Sequence, residues 1–203
     1  MKDFKFLVVL PYYNRPEMFR NGLKSLLAST YDNWHLAVID DGSDEDKKAK
    51  PILEDLFGEG MSHKYSLEDT KDTIEMKLKR GSLHAGYMNK IMRESDADYV
   101  ITIGDDDGVY SFCHVIPYDP TTEKPEVSTL AMRMKESETN SPKNWRTDSF
   151  MQINHLGDVN PLNSVDGTQV SWNRKTVLEA GIEYNEKLTI NCDANIFDNL
   201  FNK

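Results

Sequence analysis

The chain has 203 residues, 38% of them hydrophobic and 29% charged, and a formal net charge of -10. That length supports one well-buried core and leaves little for a second full domain, and the acidic balance opposes nonspecific association with nucleic acid or anionic membrane. Cys113 and Cys192 lie far apart and in no metal-ligand spacing, which excludes a disulfide framework and a zinc site and favours a reducing, cytoplasmic setting. The first apolar run ends at Pro11, too short for a secretory segment, and no stretch approaches membrane-spanning length, so no integral membrane association is expected.

Phe4 to Leu10 is almost wholly apolar, as suits a strand covered on both faces in a parallel sheet, with Pro11 as its stop. Pro16 then opens a helix whose apolar face is Phe19, Leu23, Leu26 and Leu27. A second strand, His35 to Ile39, stops at Asp40-Asp41-Gly42-Ser43, and Ser43 is placed to cap a helix from about Asp44 to Phe57. Met61 to Leu67 is a weaker strand pattern. Leu83, Tyr87, Met88, Ile91 and Met92 mark a helix face, and Tyr99 to Ile103 forms the next strand, ending at Asp105-Asp106-Asp107.

From Gly108 to about Gly167 the pattern is irregular, with short strands at most; a long excursion of this kind in a compact domain is more often a binding element than ballast. Val170 to Trp172 is again strand-like. A helix near Lys175 to Ala180 ends at Gly181, and a last one spans about Asp193 to Phe201. This alternation predicts an α/β doubly wound, mostly parallel sheet flanked by helices.

In such a sheet, ligands bind outside the carboxyl ends of the strands, near the point where strand order reverses. Three loops leave such ends, at Pro11-Tyr12-Tyr13-Asn14, at Asp40-Asp41-Gly42-Ser43 and at Asp105-Asp106-Asp107-Gly108. An isolated acidic triplet is more often a solvated turn. Acids at two converging strand ends suit a nucleotide with a hard divalent cation, because carboxylate oxygens are the ligands that magnesium and manganese prefer. The five histidines show no paired helical spacing and read as surface or hydrogen-bonded residues. Trp145 and Trp172 divide evenly between core packing and stacking on a sugar.

Taken in order, Pro11-Tyr12-Tyr13-Asn14-Arg15, Val38 to Ser43, Gly81 to Asn89, Asp98-Tyr99-Val100 and the DXD-like run Asp105-Asp106-Asp107 resemble the GT-A fold glycosyltransferases, in particular the inverting, nucleotide-sugar-dependent family 2. Asn173 to Gly181 and Asn191-Cys192-Asp193 extend the likeness into the second half. The resemblance implies a single GT-A domain over 1–203, with a nucleotide-sugar-binding half at 1–107 and an acceptor-binding half at 108–203. It implies that Pro11, Tyr13 and Asp40 hold the base, usually uracil, that Asn14 and Asp41 belong to the same donor loops, and that Asp106 meets the ribose. Asp107, with Asp105, would ligate Mn2+ or Mg2+. Arg80, with Lys77 and Lys79, could supply charge near the diphosphate, and Asp193 would be the catalytic base.

Cys192 stands where the family's acidic pair usually has glutamate, and Gly104 where many relatives have aspartate, which leaves Asp105 or Asp106 as the partner of Asp107. The implied activity is metal-dependent transfer of a sugar from a nucleoside-diphosphate sugar, with UDP foremost, to a hydroxyl with inversion. The acceptor stays open among a glycan, a lipid-linked sugar, a protein and a modified nucleic-acid base. For the last of these, Arg133, Lys135, Lys143, Arg146, Arg174 and Lys175 form a candidate phosphate-contacting patch. Two alternatives are a sugar nucleotidyltransferase, which lacks its glycine-rich loop here, and a non-catalytic nucleotide-binding or receiver-like module, which would leave Pro11 to Arg15 unexplained.

Overall fold

The computed structural model describes residues 4–29, 31–71, 73, 75–76, 84–105, 112–115, 127–128, 130–132 and 171–187. Strand β1 (Phe6–Tyr12) leads into helix α1 (Pro16–Leu27), β2 (Trp34–Asp40) into α2 (Ala49–Phe57), and β3 (Tyr65–Asp69) precedes α3 (Ala85–Glu94) and β4 (Tyr99–Thr102). Short strands β5 (Phe112–Val115), β6 (Val127–Ser128) and β7 (Leu130–Met132) follow, then β8 (Ser171–Asn173) and α4 (Arg174–Glu179). The main sheet has the order β3-β2-β1-β4-β8-β6, and β5 pairs with β7 in a separate two-stranded ribbon.

Strands β3, β2, β1 and β4 run parallel, while β8 is antiparallel to β4 and β6 to β8. The chain therefore lays β2 and β3 on one side of β1 and returns to place β4 on the other, which puts the topological switch point between β1 and β4.

Alternation along β1 assigns the two faces. Phe6, Val8, Leu10 and Tyr12 pack with Phe19, Leu23 and Leu26 of α1 and with Ile52, Leu53 and Phe57 of α2. Leu7 and Val9 look the other way, into a core with Met88 and Met92 of α3, Trp172 of β8, Val177 of α4, and Ile182 and Tyr184 beyond it. Both methionines are thus core residues. So is Trp172, at 1% exposure, which removes it as a sugar-stacking residue.

Three local expectations are corrected. Pro11 does not end β1, which continues to Tyr12 in register with Asp40. Odd-numbered β1 residues direct their backbone polar groups toward β4, where the Ile103 N–H donates to Val9 O at 2.9 Å beyond the last β1–β4 register pair, Val9 with Thr102. Pro11 falls past that point, where its missing N–H costs the ladder nothing.

Second, the helix expected from Asp44 splits into a 3-10 turn at Glu45–Lys47, an extended Lys48, and α2 proper from Ala49. Ser43 does not cap it. Third, the segment before β3 is a 3-10 turn at Glu59–Lys64, so the strand starts at Tyr65 rather than Met61. The helix expected over Asp193 to Phe201 lies outside the described residues.

Candidate active site

The parallel register sets Tyr12, Asp40 and Asp69 side by side at the carboxyl edge of the sheet. Asp40 is 1% exposed, and each of its oxygens accepts a backbone N–H: Oδ1 from Ser43 at 2.9 Å and Oδ2 from Ala49 at 2.9 Å. Ala49 is the first residue of α2, so the strand-end aspartate supplies the cap that the sequence assigned to Ser43. Gly42, at φ 74°, makes the turn that brings the Ser43 N–H back to Asp40. Asp41, 6% exposed, anchors its own N–H on Tyr12 O at 2.9 Å.

Asn14 locks the first loop to the second. Its N–H donates to Ser43 Oγ at 3.0 Å, and its Oδ1 accepts from the Asp44 N–H at 2.8 Å. Both bonds require a left-handed backbone at φ 55°, a conformation asparagine tolerates better than most residues. The amide expected among the donor-binding groups is spent on joining the two loops. Tyr13, immediately before it, is 40% exposed at the carboxyl edge of the sheet.

Across the switch point, the Tyr13 N–H donates to Asp105 Oδ2 at 3.3 Å and Arg15 Nη1 pairs with Asp105 Oδ1 at 3.0 Å. All three loops therefore meet at one edge. Tyr12 registers the same convergence: burial first, then the charges of Asp40 and Asp105, push its phenol up to about 12. Arg15 carries no expected role in the sequence, although a cation just beyond one strand-end loop, with acids on a facing loop, is the signal that marks it.

On the other face of the sheet, α3 is joined to the segment after α4. Asn89, buried on α3, grips the Tyr184 backbone in both directions: the Tyr184 N–H donates to its Oδ1 at 2.8 Å, and its Nδ2 donates to Tyr184 O at 2.9 Å. The same Nδ2 lies 3.1 Å from Glu186 Oε1. Gly86, in the first turn of α3, leaves room for that carboxylate, whose Cδ lies 3.4 Å from where a Cβ would stand. Thr102 Oγ1 and the Tyr184 hydroxyl are 3.0 Å apart, which brings this segment under the end of β4.

Arg174 is far from such work. It donates through Nε to Ala97 O at 2.8 Å and through Nη1 to Met92 O at 3.1 Å, at the amino end of β4, so it is not a member of a phosphate-contacting patch at the carboxyl edge. His35 Nε2 lies 3.1 Å from Ser66 Oγ, a hydrogen-bonded histidine as expected.

Of the residues expected in the site, Pro11, Tyr13, Asn14, Asp40, Asp41 and Asp105 are brought to one edge. Arg80, Asp106, Asp107 and Asp193 lie outside the described residues. Among the described residues, no group of three metal-ligating side chains forms a cation site. Asp105, the single described acid of its run, has Oδ1 on the Arg15 guanidinium and Oδ2 on the Tyr13 N–H. No helix among the described residues is long and apolar enough to cross a membrane.

A doubly wound sheet with acids from two strand ends meeting at its switch point is an architecture of the GT-A type. Residues 7–113, just over half of the chain, match the family described as Glycosyl transferase family 2, and the chain belongs to that family. Among solved structures it is similar to TarS of S. aureus, with a TM-score of 0.60 and 14% identity over 97% of this chain and 33% of that one. Against TarS 1-349 in complex with UDP-GlcNAc the TM-score is 0.61 at 12% identity, covering 97% of this chain and 53% of the other. The mannosyltransferase PcManGT from Pyrobaculum calidifontis, in complex with GDP-Man and Mn2+, gives 0.56 at 14% identity over 96% and 50%. At such identities the likeness is one of fold, and this chain spans from a third to about half of the length of those proteins. No curated protein matches the sequence.

Proposed function

We propose that this chain carries the catalytic domain of an inverting glycosyltransferase that moves a sugar from a nucleoside-diphosphate sugar, UDP-sugar first, to an acceptor hydroxyl. The observation that carries the reading is the meeting of the Tyr13, Asp41 and Asp105 loops at the β1/β4 switch point. The donors named with the structural neighbours, UDP-GlcNAc and GDP-Man, support the donor class. The cytoplasmic expectation and the division at residue 107 into donor and acceptor halves belong to the same proposal.

The residues divide the work. Tyr13, half exposed at the carboxyl edge of the sheet, offers its ring to the base, and Pro11 holds the end of β1. Asp40 is consumed by the loop and by α2, so the carboxylate that reads the base is assigned to Asp41. Asn14 holds the two loops in one geometry before the donor arrives, which lowers the ordering cost of binding. Arg80 is assigned to the diphosphate and Asp106 to the ribose.

A bound Mn2+ or Mg2+, held by Asp107 with a neighbouring acid of its run, would stabilise the charge that grows on the leaving diphosphate. Asp193 would take the proton of the acceptor hydroxyl as it attacks from the opposite face, contributing on the order of 10²- to 10⁴-fold. A single in-line displacement inverts the anomeric centre.

Thermal-shift or calorimetric titration with UDP-, GDP- and CDP-sugars, with manganese and with chelator, tests the reading. A UDP-sugar should bind most tightly, with manganese, and Asp107→Ala should abolish the manganese-dependent part. Equal affinity in chelator would remove the cation from the scheme. Asp193→Asn should fold and bind donor as the parent does, with turnover lowered on the order of 10²-fold or more.

A further inference from the structure

The acid run invites the assumption that all of its carboxylates serve a cation, and the geometry of Asp105 argues otherwise. Its side chain is 11% exposed, with Oδ1 on the Arg15 guanidinium at 3.0 Å and Oδ2 on the Tyr13 N–H at 3.3 Å. A guanidinium stays charged at every working pH, and a divalent cation brought to the same carboxylate would meet its repulsion at close range. Arg15 sits directly after Asn14, the residue that fastens the first loop to the second, so its base is fixed while its side chain, 53% exposed, reaches Asp105.

On the nucleotide-sugar reading given above, we propose that Asp105 belongs to the donor loop and not to the cation. Arg15 is the positioning residue that keeps Asp105 out of the ligand set while tying β4 to the first loop across the switch point. Neutralising one acid of the run also reduces the negative field that an incoming diphosphate must enter.

Manganese binding to the whole chain without nucleotide, followed by the electron paramagnetic resonance of the free ion, separates the alternatives. Asp105→Asn should bind manganese within about twofold of the parent, whereas loss of a true ligand or of its orienting partner costs on the order of tenfold or more. Arg15→Gln should tighten manganese about fivefold, because the released carboxylate becomes available to the ion, and Arg15→Lys should stay near the parent. The double variant Arg15→Gln/Asp105→Asn should return to the parental affinity.

A tenfold loss in Asp105→Asn overturns the proposal. So does equal tightening in Arg15→Gln and in the double variant, which would show that Arg15 acts on the ion without Asp105. If Asp105→Asn does not fold, Arg15→Gln against Arg15→Lys decides, and absence of tightening overturns the proposal. A parent that binds neither manganese nor UDP would overturn the nucleotide-sugar reading and this proposal together, whereas a parent that binds both leaves the variants to judge the proposal alone.

Discussion

Adjacent aspartates at the end of β2 have different tasks, and substitution should separate them. Asp40→Ala strips the acceptor from two buried N–H groups, one of them at the start of α2, and is expected to cost about 2–3 kcal/mol of stability. The shift of the urea midpoint measures it. Asp41→Asn keeps shape and should unfold near the parental midpoint while losing nucleotide affinity about tenfold, as expected for a lost charge-assisted bond. Tyr12 offers a second test at this scale. Its phenol is raised from 10.0 to about 12, so its contribution to stability is complete below pH 10 and is lost as pH rises toward 12. Tyr12→Phe should flatten that part of the stability profile, which pH-dependent urea midpoints of parent and variant would measure.

Among the elements, α3 is linked to the segment after α4 by the exposed Arg93–Glu183 ion pair and by the buried side chain of Asn89. Asn89→Ala removes both bonds to the Tyr184 backbone and should cost about 1–3 kcal/mol. Asn89→Asp should cost more, since it sets a carboxylate against Tyr184 O and the Glu186 carboxylate; thermal melts of the two variants give the comparison. The alternation of apolar strands and helical faces made these elements readable from sequence, because burial on both sheet faces leaves that periodicity in the residues themselves. What could not be read were the partners set by tertiary register. Asp40 caps a helix nine positions away because β2 ends beside its start, and no local pattern records that. Pro11 is tolerated only because β4 stops pairing beside Val9. The convergence of Tyr13, Asp41 and Asp105 was foreseeable from strand-end logic, whereas the pairing of Arg15 with Asp105 spans 90 positions and needed coordinates.

At the scale of the whole molecule, the proposed donor and acceptor halves on either side of residue 107 share one sheet. Strand β8 lies against β4 with Tyr99 opposite Asn173, and the Arg174 N–H donates to Asp98 O at 2.9 Å. Trp172 and Val177 complete the core over Leu7, Val9 and Val100. A chain ending at 107 would keep every donor-loop residue assigned here except Asp193's acceptor-side chemistry, yet it would bare that apolar face and leave β4 with an open ladder. Such a fragment should be recovered as oligomers or insoluble material, as size-exclusion chromatography would reveal, while co-expression with 108–203 should restore a discrete species. The return of a late strand to the flank of β4 thus has a biosynthetic consequence: during translation the donor loops cannot acquire their final rigidity until about seventy further residues have emerged, the number a β8 partner for β4 requires.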